Sequence, residues 1–290
     1  MTAGPDGLAV VDKPAGWTSH DVVAKARGLL GTRKVGHAGT LDPDATGVLV
    51  LGVGRVTRLL GYVTGLDKSY DGEVVLGTAT STLDASGEVT GTWDMAAVTL
   101  ADVRAAAECL TGEIRQVPPM VSAKQVAGRR LHELARAGLE VAREPVTVRV
   151  ERFEVGEEVA PGVFPISVAC SSGTYVRSLA ADLGAALGGG AHLRHLRRTA
   201  VGPYGVDEAV PLEALAPERL LAPVEALRGR ERVTVGDELA ALVRHGRVLE
   251  DGVLGVAGEG PWAVVDGAGT LLAVYQRHRG TTVKPGVVLA

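Results

Sequence analysis

Aromatic side chains make up only 3% of this 290-residue chain, and cysteine occurs twice, at Cys109 and Cys170. Two cysteines do not make the disulfide framework of a small secreted scaffold. No apolar run approaches the roughly 18 residues that a membrane-spanning helix needs. The opening MTAGPDGLAVVDKPAGW lacks the basic start and long apolar core of a signal peptide. The chain therefore reads as cytoplasmic, with reduced thiols and no membrane partner. A large excess of one charge is missing too: 30 Lys and Arg stand against 34 Asp and Glu, a formal net charge of -4. That argues against a binder held to nucleic acid by bulk charge. Cofactor signatures fail residue by residue. GVGRVT follows a predicted strand, but Thr57 stands where a dinucleotide fingerprint needs its third glycine. HELAR at His132 opens like a zinc-protease helix, yet Arg136 occupies the second histidine position. No Walker loop, no G-x-S-x-G and no Cys or His cluster with metal spacing occurs. Neither a metal nor any other cofactor is expected.

What the chain does have is material for a sizeable core, with 46% hydrophobic and 22% charged residues. The length suits one large domain or two unequal ones. GLAVVDK reads as a strand, followed by a Lys-Pro turn and a helix that Thr18 or Ser19 could cap and Gly31 would close. TGVLVLGVG is a buried strand, VTRLLGYVTGLD a short helix, and KSYDGEVVLGTAT a strand leading into the turn-rich STLDASGEVTG. A helix follows over TLADVRAAAECLTGEI, then a loop and a helix ending at Gly138. PVTVRVERFEV and VFPISVACSSG alternate as strands, and TYVRSLAADLGAAL is helical. Strands and helices without regular alternation predict an α+β sheet domain. Residues 205–232 read as helical and broken by prolines. A small β-rich unit is expected beyond, so the domains are predicted at 1–229 and 230–290.

Two stretches are locally basic. Lys124, Arg129, Arg130, Arg136 and Arg143 face only Glu133 and Glu140, and residues 183–206 carry three arginines, two histidines and no acid. Such patches suit phosphates, and equally well an ordinary solvated face. The densest turn chemistry surrounds one carboxylate. In VGHAGTLDPDATGVLVLGVG, Asp42 lies between Leu41 and Pro43 with Gly36, Gly39 and Gly47 around it, just before the buried strand. An Asp-Pro pair also starts ordinary turns, and local sequence leaves both readings open. With aromatics so scarce, Tyr70 in LDKSYDG and Tyr175 in CSSGTYVRSLAADLG stand out at polar junctions.

Taken together, these pieces resemble the TruB family of pseudouridine synthases. GLAVVDKPAGWTSHDVV, VGHAGTLDPDATGVLVLG, KSY, VPPMVSAKQVAGRRLHELAR, CSSGTYVRSLAADLG and GAHLRHLRRTAVG follow in that family's order over about residues 7 to 210. The resemblance implies a mixed, mainly antiparallel sheet flanked by helices, with a PUA-like RNA-binding unit at the C-terminus. It implies a cofactor-free isomerase that flips out uridine 55 in the T stem-loop of tRNA and converts it to pseudouridine; a monomer is the default expectation. By analogy Asp42 is the carboxylate that acts on the uridine. Cleaving a C–N glycosidic bond builds positive character on the sugar, which a carboxylate stabilises or captures. Arg177 is expected to orient Asp42 and depress its pKa. Tyr70 would pack on the flipped base and assist loss of the C5 proton. Tyr175 and Leu196 would line the pocket, and His37 would take the space the base vacates. Lys13, Arg58 and Asp84 match polar positions near the site, Arg58 where a relative has lysine. Lys124 is one place earlier than the family's lysine, with Gln125 after it. Two other readings are a guide-RNA-dependent synthase, which usually carries lysine-rich extensions absent here, and a tRNA-binding or folding module that would act without Asp42.

Overall fold

A computed structural model describes residues 4–120, 125–126, 129–130 and 143–289. The predicted helix ending at Gly138 and the cationic side chains of Lys124, Arg129, Arg130 and Arg136 lie outside the described residues. The order begins with β1 (Gly7–Lys13), α1 (Ser19–Leu29), β2 (Val35–His37) and β3 (Thr46–Val53). Next come a 3-10 turn over Gly54–Leu59, α2 (Leu60–Thr64) and β4 (Lys68–Leu76). Thr18 caps α1, accepting from the Asp21 amide while the Asp21 carboxylate accepts from the Thr18 amide.

The apolar runs of β1 and β3 are continuous because both faces are covered. Ala9, Val11, Leu49, Leu51 and Val53 meet Val22, Val23 and Ala26 of α1. Leu8, Val10, Val48 and Val50 point the other way, into a cluster with Val56, Leu59 and Val63.

A hairpin of β5 (Thr78–Thr80) and β6 (Val89–Thr92) follows, then α3 (Leu100–Cys109), capped by Thr99, and β7 (Gly112–Gln116). The backbones of β8 (Gln125–Val126) and β9 (Arg129–Arg130) pair with each other. The domain closes with β10 (Val146–Val155), β11 (Val163–Cys170), α4 (Val176–Ala186), β12 (Ala191–Val201), β13 (Tyr204–Gly205) and β14 (Val210–Pro211). The main sheet runs β14-β1-β3-β12-β4-β11-β10-β7, with β2 on β3 and β13 on β12. Most pairs are antiparallel; β1–β14 and β3–β12 are parallel. One face is covered by α3 and α4, whose Val103, Ala107, Leu179 and Leu183 pack on Val74, Ile166, Val168 and Leu193. This is an α+β fold.

Three elements differ from the sequence reading. GEIRQ, expected as a helix tail, is β7, because α3 stops at Cys109 and Gly112 takes φ +90°. The loop STLDASGEVTG includes β6. Between residues 206 and 227, apart from β14, the chain makes short 3-10 turns, two of them begun by Pro217 and Pro223, instead of α-helix. A second sheet comprises β15 (Arg232–Thr234), β16 (Leu249–Glu250), β17 (Trp262–Val265), β18 (Leu271–Arg277) and β19 (Thr282–Val288) in the order β15-β17-β18-β19-β16. Helix α5 (Asp237–Arg244) packs on it around Trp262 and Tyr275. Its other face joins the main body through Ala263, Val265, Leu271 and Val274.

Candidate active site

The main sheet has a weak seam at its centre. Parallel β3 and β12 share only the pairs Arg197–Thr46 and Arg198–Gly47. β12 also bulges against β4 between Arg194 and Arg197, and His195 at the bulge takes φ +53°. Bulges re-aim side chains, and left-handed non-glycine residues collect at functional sites. The loop entering β3 over this seam carries Asp42.

Several side chains tie that loop down. The Ser19 hydroxyl accepts from the Leu41 amide at 2.9 Å and donates to the Leu41 carbonyl at 3.3 Å. Lys13, wholly buried at the end of β1, donates from Nζ to the carbonyls of Pro14, Trp17 and Pro43 at 2.6–2.9 Å. Burial pushes its ammonium down to about 8, with Asp44 and Asp42 opposing. Buried Arg198 donates to the carbonyls of Gly39, Thr40 and Val48. These bonds leave the Asp42 carboxylate at the loop's tip with 41% of its side chain open to the cleft.

Arg177, at the second position of α4 and 5% exposed in its side chain, meets Asp42 as a fork. Nε lies 2.9 Å from one carboxylate oxygen and Nη2 donates to the other at 3.2 Å. Nη1 donates to the Thr82 carbonyl, and Asp84 lies 3.7 Å from Nε. Arg177 does pull the Asp42 pKa down, but burial outweighs it and Asp84 adds to the rise, so the carboxyl lies above its ordinary range. Arg177 thus depresses the Asp42 pKa as expected, but the cleft walls desolvate the carboxylate more than one guanidinium compensates.

Two cavities of about 210 Å³ each meet at this pair. One is lined by Asp42, Lys68, Tyr70, Tyr175, Leu196 and Arg198. The other is lined by Asp42, Asp84, Leu193, His195 and Leu196; Arg177 borders both. A larger depression of about 600 Å³, at the far end of β4, has Glu158 as its one ionisable lining residue and lacks the groups for chemistry.

Of the residues singled out in the sequence, Asp42, Tyr70, Tyr175, Arg177 and Leu196 thus share one cavity, and Asp84 lines the adjoining one. The Tyr70 ring is buried, which pushes its phenol up, with Arg198 the main opposing charge. Asp84 is held by the hydroxyls of Thr82 and Ser86, each at 2.6 Å. Lys13 touches the loop from beneath and does not face the cavities. His37 does not line them either; its ring meets that of His20 edge-on at 5.5 Å, and its buried Nδ1 has no hydrogen-bond partner among the described residues. Arg58 lies away from the site, donating to the Val288 carbonyl at the end of the second sheet. The basic stretch 194–198 is not a free phosphate grip: Arg194 binds Glu73, Arg197 binds Asp12, and Arg198 is buried.

Three participants escaped sequence reading. Buried Gln116 accepts from the Tyr175 amide at 2.8 Å and donates to its carbonyl at 3.0 Å, fixing the start of α4. Lys68 lines the Tyr70 cavity, its Nζ donating to the carbonyls of Thr64 and Leu66 while burial lowers its pKa to about 8. Arg198, read in the sequence only as part of a basic stretch, is the third. The period-2 placement of Lys68 and Tyr70 on β4 was the available signal for Lys68.

Comparison with known proteins decides the family. Residues 27–176 match the model of the TruB family pseudouridylate synthase N-terminal domain. The chain belongs to the TruB family. Residues 177–228 match the tRNA pseudouridylate synthase B C-terminal domain. A tRNA pseudouridine synthase B of Streptomyces coelicolor is 47% identical over 289 residues, covering 95% of each chain. One of Corynebacterium aurimucosum is 50% identical over 278 residues, covering 93% of this chain and 92% of that one. A chain in the crystal structure of a Cbf5-Nop10-Gar1 complex superposes with a TM-score of 0.76 at 26% identity, covering 97% of this chain and 84% of that one. As a TruB-family pseudouridylate synthase, this chain is an isomerase.

Proposed function

We propose that the protein converts uridine 55 in the T arm of tRNA to pseudouridine, as a cytoplasmic monomer that needs no cofactor. The observation that carries this reading is the Asp42–Arg177 fork opening on a cavity of base-binding size that Tyr70, Tyr175 and Leu196 also line. The relatives named tRNA pseudouridine synthase B, matched along nearly their whole length, favour tRNA over a guide-RNA complex.

The uridine leaves its stack and enters the cavity, where Tyr70 packs on its ring. Arg177 holds Asp42 in one orientation and favours its ionised form against the cost of burial. As the C1′–N1 bond breaks, Asp42 meets the electron-poor sugar carbon. The base turns, C5 bonds to C1′, and the C5 proton leaves with Tyr70 at hand. His37, on β2 beside the Asp42 loop, takes the space the base vacates. Residues 1–229 act as the catalytic unit, and residues 230–290 as a PUA-like unit touching the distal stem.

The test is release of tritium from C5-labelled uridine in an unmodified tRNA transcript. Intact protein is expected to release it and to place the product in the T loop. Asp42→Asn should release none while binding tRNA within about tenfold of the intact protein, since it removes a reacting group and not a phosphate contact. Binding without release by the intact protein would leave a tRNA-binding module instead.

A further inference from the structure

Arg198 reaches both the Asp42 loop and the strand of Tyr70. Nε donates to the Val48 carbonyl at 2.7 Å, Nη2 to Gly39 at 3.1 Å and Nη1 to Thr40 at 3.4 Å, so one guanidinium holds the Asp42 loop at its entry and its exit. Its backbone adds a hold at Gly47, whose φ of +99° lets the loop pass against the Arg198 carbonyl. On the other side, Arg198 pairs across the sheet with Tyr70, and its guanidinium is the main charge near that phenol. The side chain is wholly buried within the protein and borders the cavity between Asp42 and Tyr70. Lys68 borders the same cavity, with Nζ on two backbone carbonyls. Both cations direct their backbone bonds to carbonyls, which carry no compensating charge.

Keeping two such cations buried is costly unless an anion repays it. Asp42 is already forked by Arg177. The reaction supplies a second anion. When the C1′–N1 bond breaks heterolytically, its electron pair stays on the base, and the negative charge spreads over N1, O2 and O4. C1′ is left electron-poor and meets the Asp42 carboxylate. C5 then bonds to C1′, the carboxylate is released, the C5 proton passes to water and N1 takes a proton from water. Atoms and charge balance as an isomerisation.

We propose that Arg198, assisted by Lys68, is a further catalytic residue that holds the Asp42 loop against the base pocket and stabilises the departing uracil anion. The inference rests on the isomerase reading above. It explains why three neighbouring arginines are treated so differently: Arg194 and Arg197 are paired with carboxylates, whereas Arg198 is turned inward and, among the described residues, has none.

The test compares single-turnover rates on tRNA transcripts carrying uridine or 5-fluorouridine at the target. The fluorinated base is the more acidic, so its anion needs less stabilisation. Arg198→Met is expected to slow uridine turnover about 100-fold and consumption of 5-fluorouridine by about tenfold or less, a loss typical of removing one preorganised charge. Arg198→Lys, which keeps the charge but cannot span three carbonyls, should recover about tenfold of the uridine rate. Lys68→Met leaves the loop ties intact and should show the same bias between the two bases, which decides the matter if Arg198→Met fails to fold. Equal losses on both bases would reduce Arg198 to scaffold and overturn the anion role. Failure of the intact protein to isomerise uridine would instead remove the isomerase reading.

Discussion

Asp42 is pushed in two directions, and the balance is testable through pH. On the proposed mechanism it must be ionised to act on the uridine, so activity is expected to disappear as pH falls through its pKa in the folded protein. Burial and Asp84 raise that pKa above the ordinary 3.8, and Arg177 pulls it back. The acid limb of the turnover rate should therefore lie above 3.8, and Arg177→Gln should move it higher still, with Arg177→Lys in between. A limb that ignores Arg177→Gln would mean that another group titrates. Tyr70 gives a second residue-level prediction. Tyr70→Leu should slow turnover by about 100-fold or more, while a size-tolerant core swap costs only about 1–2 kcal/mol of stability in a denaturant titration. Tyr70→Phe separates ring from phenol: it should leave tRNA binding intact and slow turnover. A normal rate in both variants would make Tyr70 a core residue alone. At this scale Asp42, Tyr70, Tyr175 and Arg177 were legible because each sits in a distinctive motif. Gln116 and Arg198 were not, since their value lies in backbone contacts made across the fold by residues far away in sequence. The motif also named the arginine that lowers the Asp42 pKa, but the opposing desolvation belongs to the assembled cleft and no motif carries it.

At the level of elements, the seam between β3 and β12 carries the site, and Gly47 is its narrowest point. Its φ of +99° is strained for any side chain, and a Cβ there would be driven into the Arg198 carbonyl oxygen. Gly47→Ala should therefore cost about 2–4 kcal/mol, combining left-handed strain with a backbone clash. Turnover should fall beyond what the loss of folded protein accounts for, because the same shift displaces the Asp42 loop. Denaturant midpoints with activity per folded molecule check this; an unchanged midpoint would show that the seam yields easily. Helices α1 and α3 were readable through Thr18 and Thr99 with their matching acids, as caps are local signals. The continuous runs of β1 and β3 were equally plain. β12 was recognisable only as a motif, since its bulge breaks the alternation that marks a strand. The proline-broken segment looked helical by composition, but its prolines begin turns too short for α-helix.

For the whole molecule, a net charge of -4 has to be reconciled with a polyanionic substrate. The arginines at 194, 197 and 198 cannot supply the grip, because carboxylates or buried carbonyls already engage them. Among the described residues, Arg33 and Lys34 are better placed: both are exposed in the turn before β2, the strand that leads through His37 into the Asp42 loop. Each phosphate neutralised releases counterions, so binding should weaken steeply with salt, with a slope of about -0.9 per contact on a duplex stem. Replacing both Arg33 and Lys34 by alanine should flatten that slope by about 1.4–1.8. It should leave single-turnover rates at saturating tRNA unchanged, since neither residue reaches the cavities. Arg197→Ala should alter the slope far less, because its partner is Asp12 and not a phosphate. If Arg197 changed the slope as much as the pair did, the Asp12 contact would have to open on tRNA binding. The basic stretch would then resume the phosphate-binding role its composition suggested.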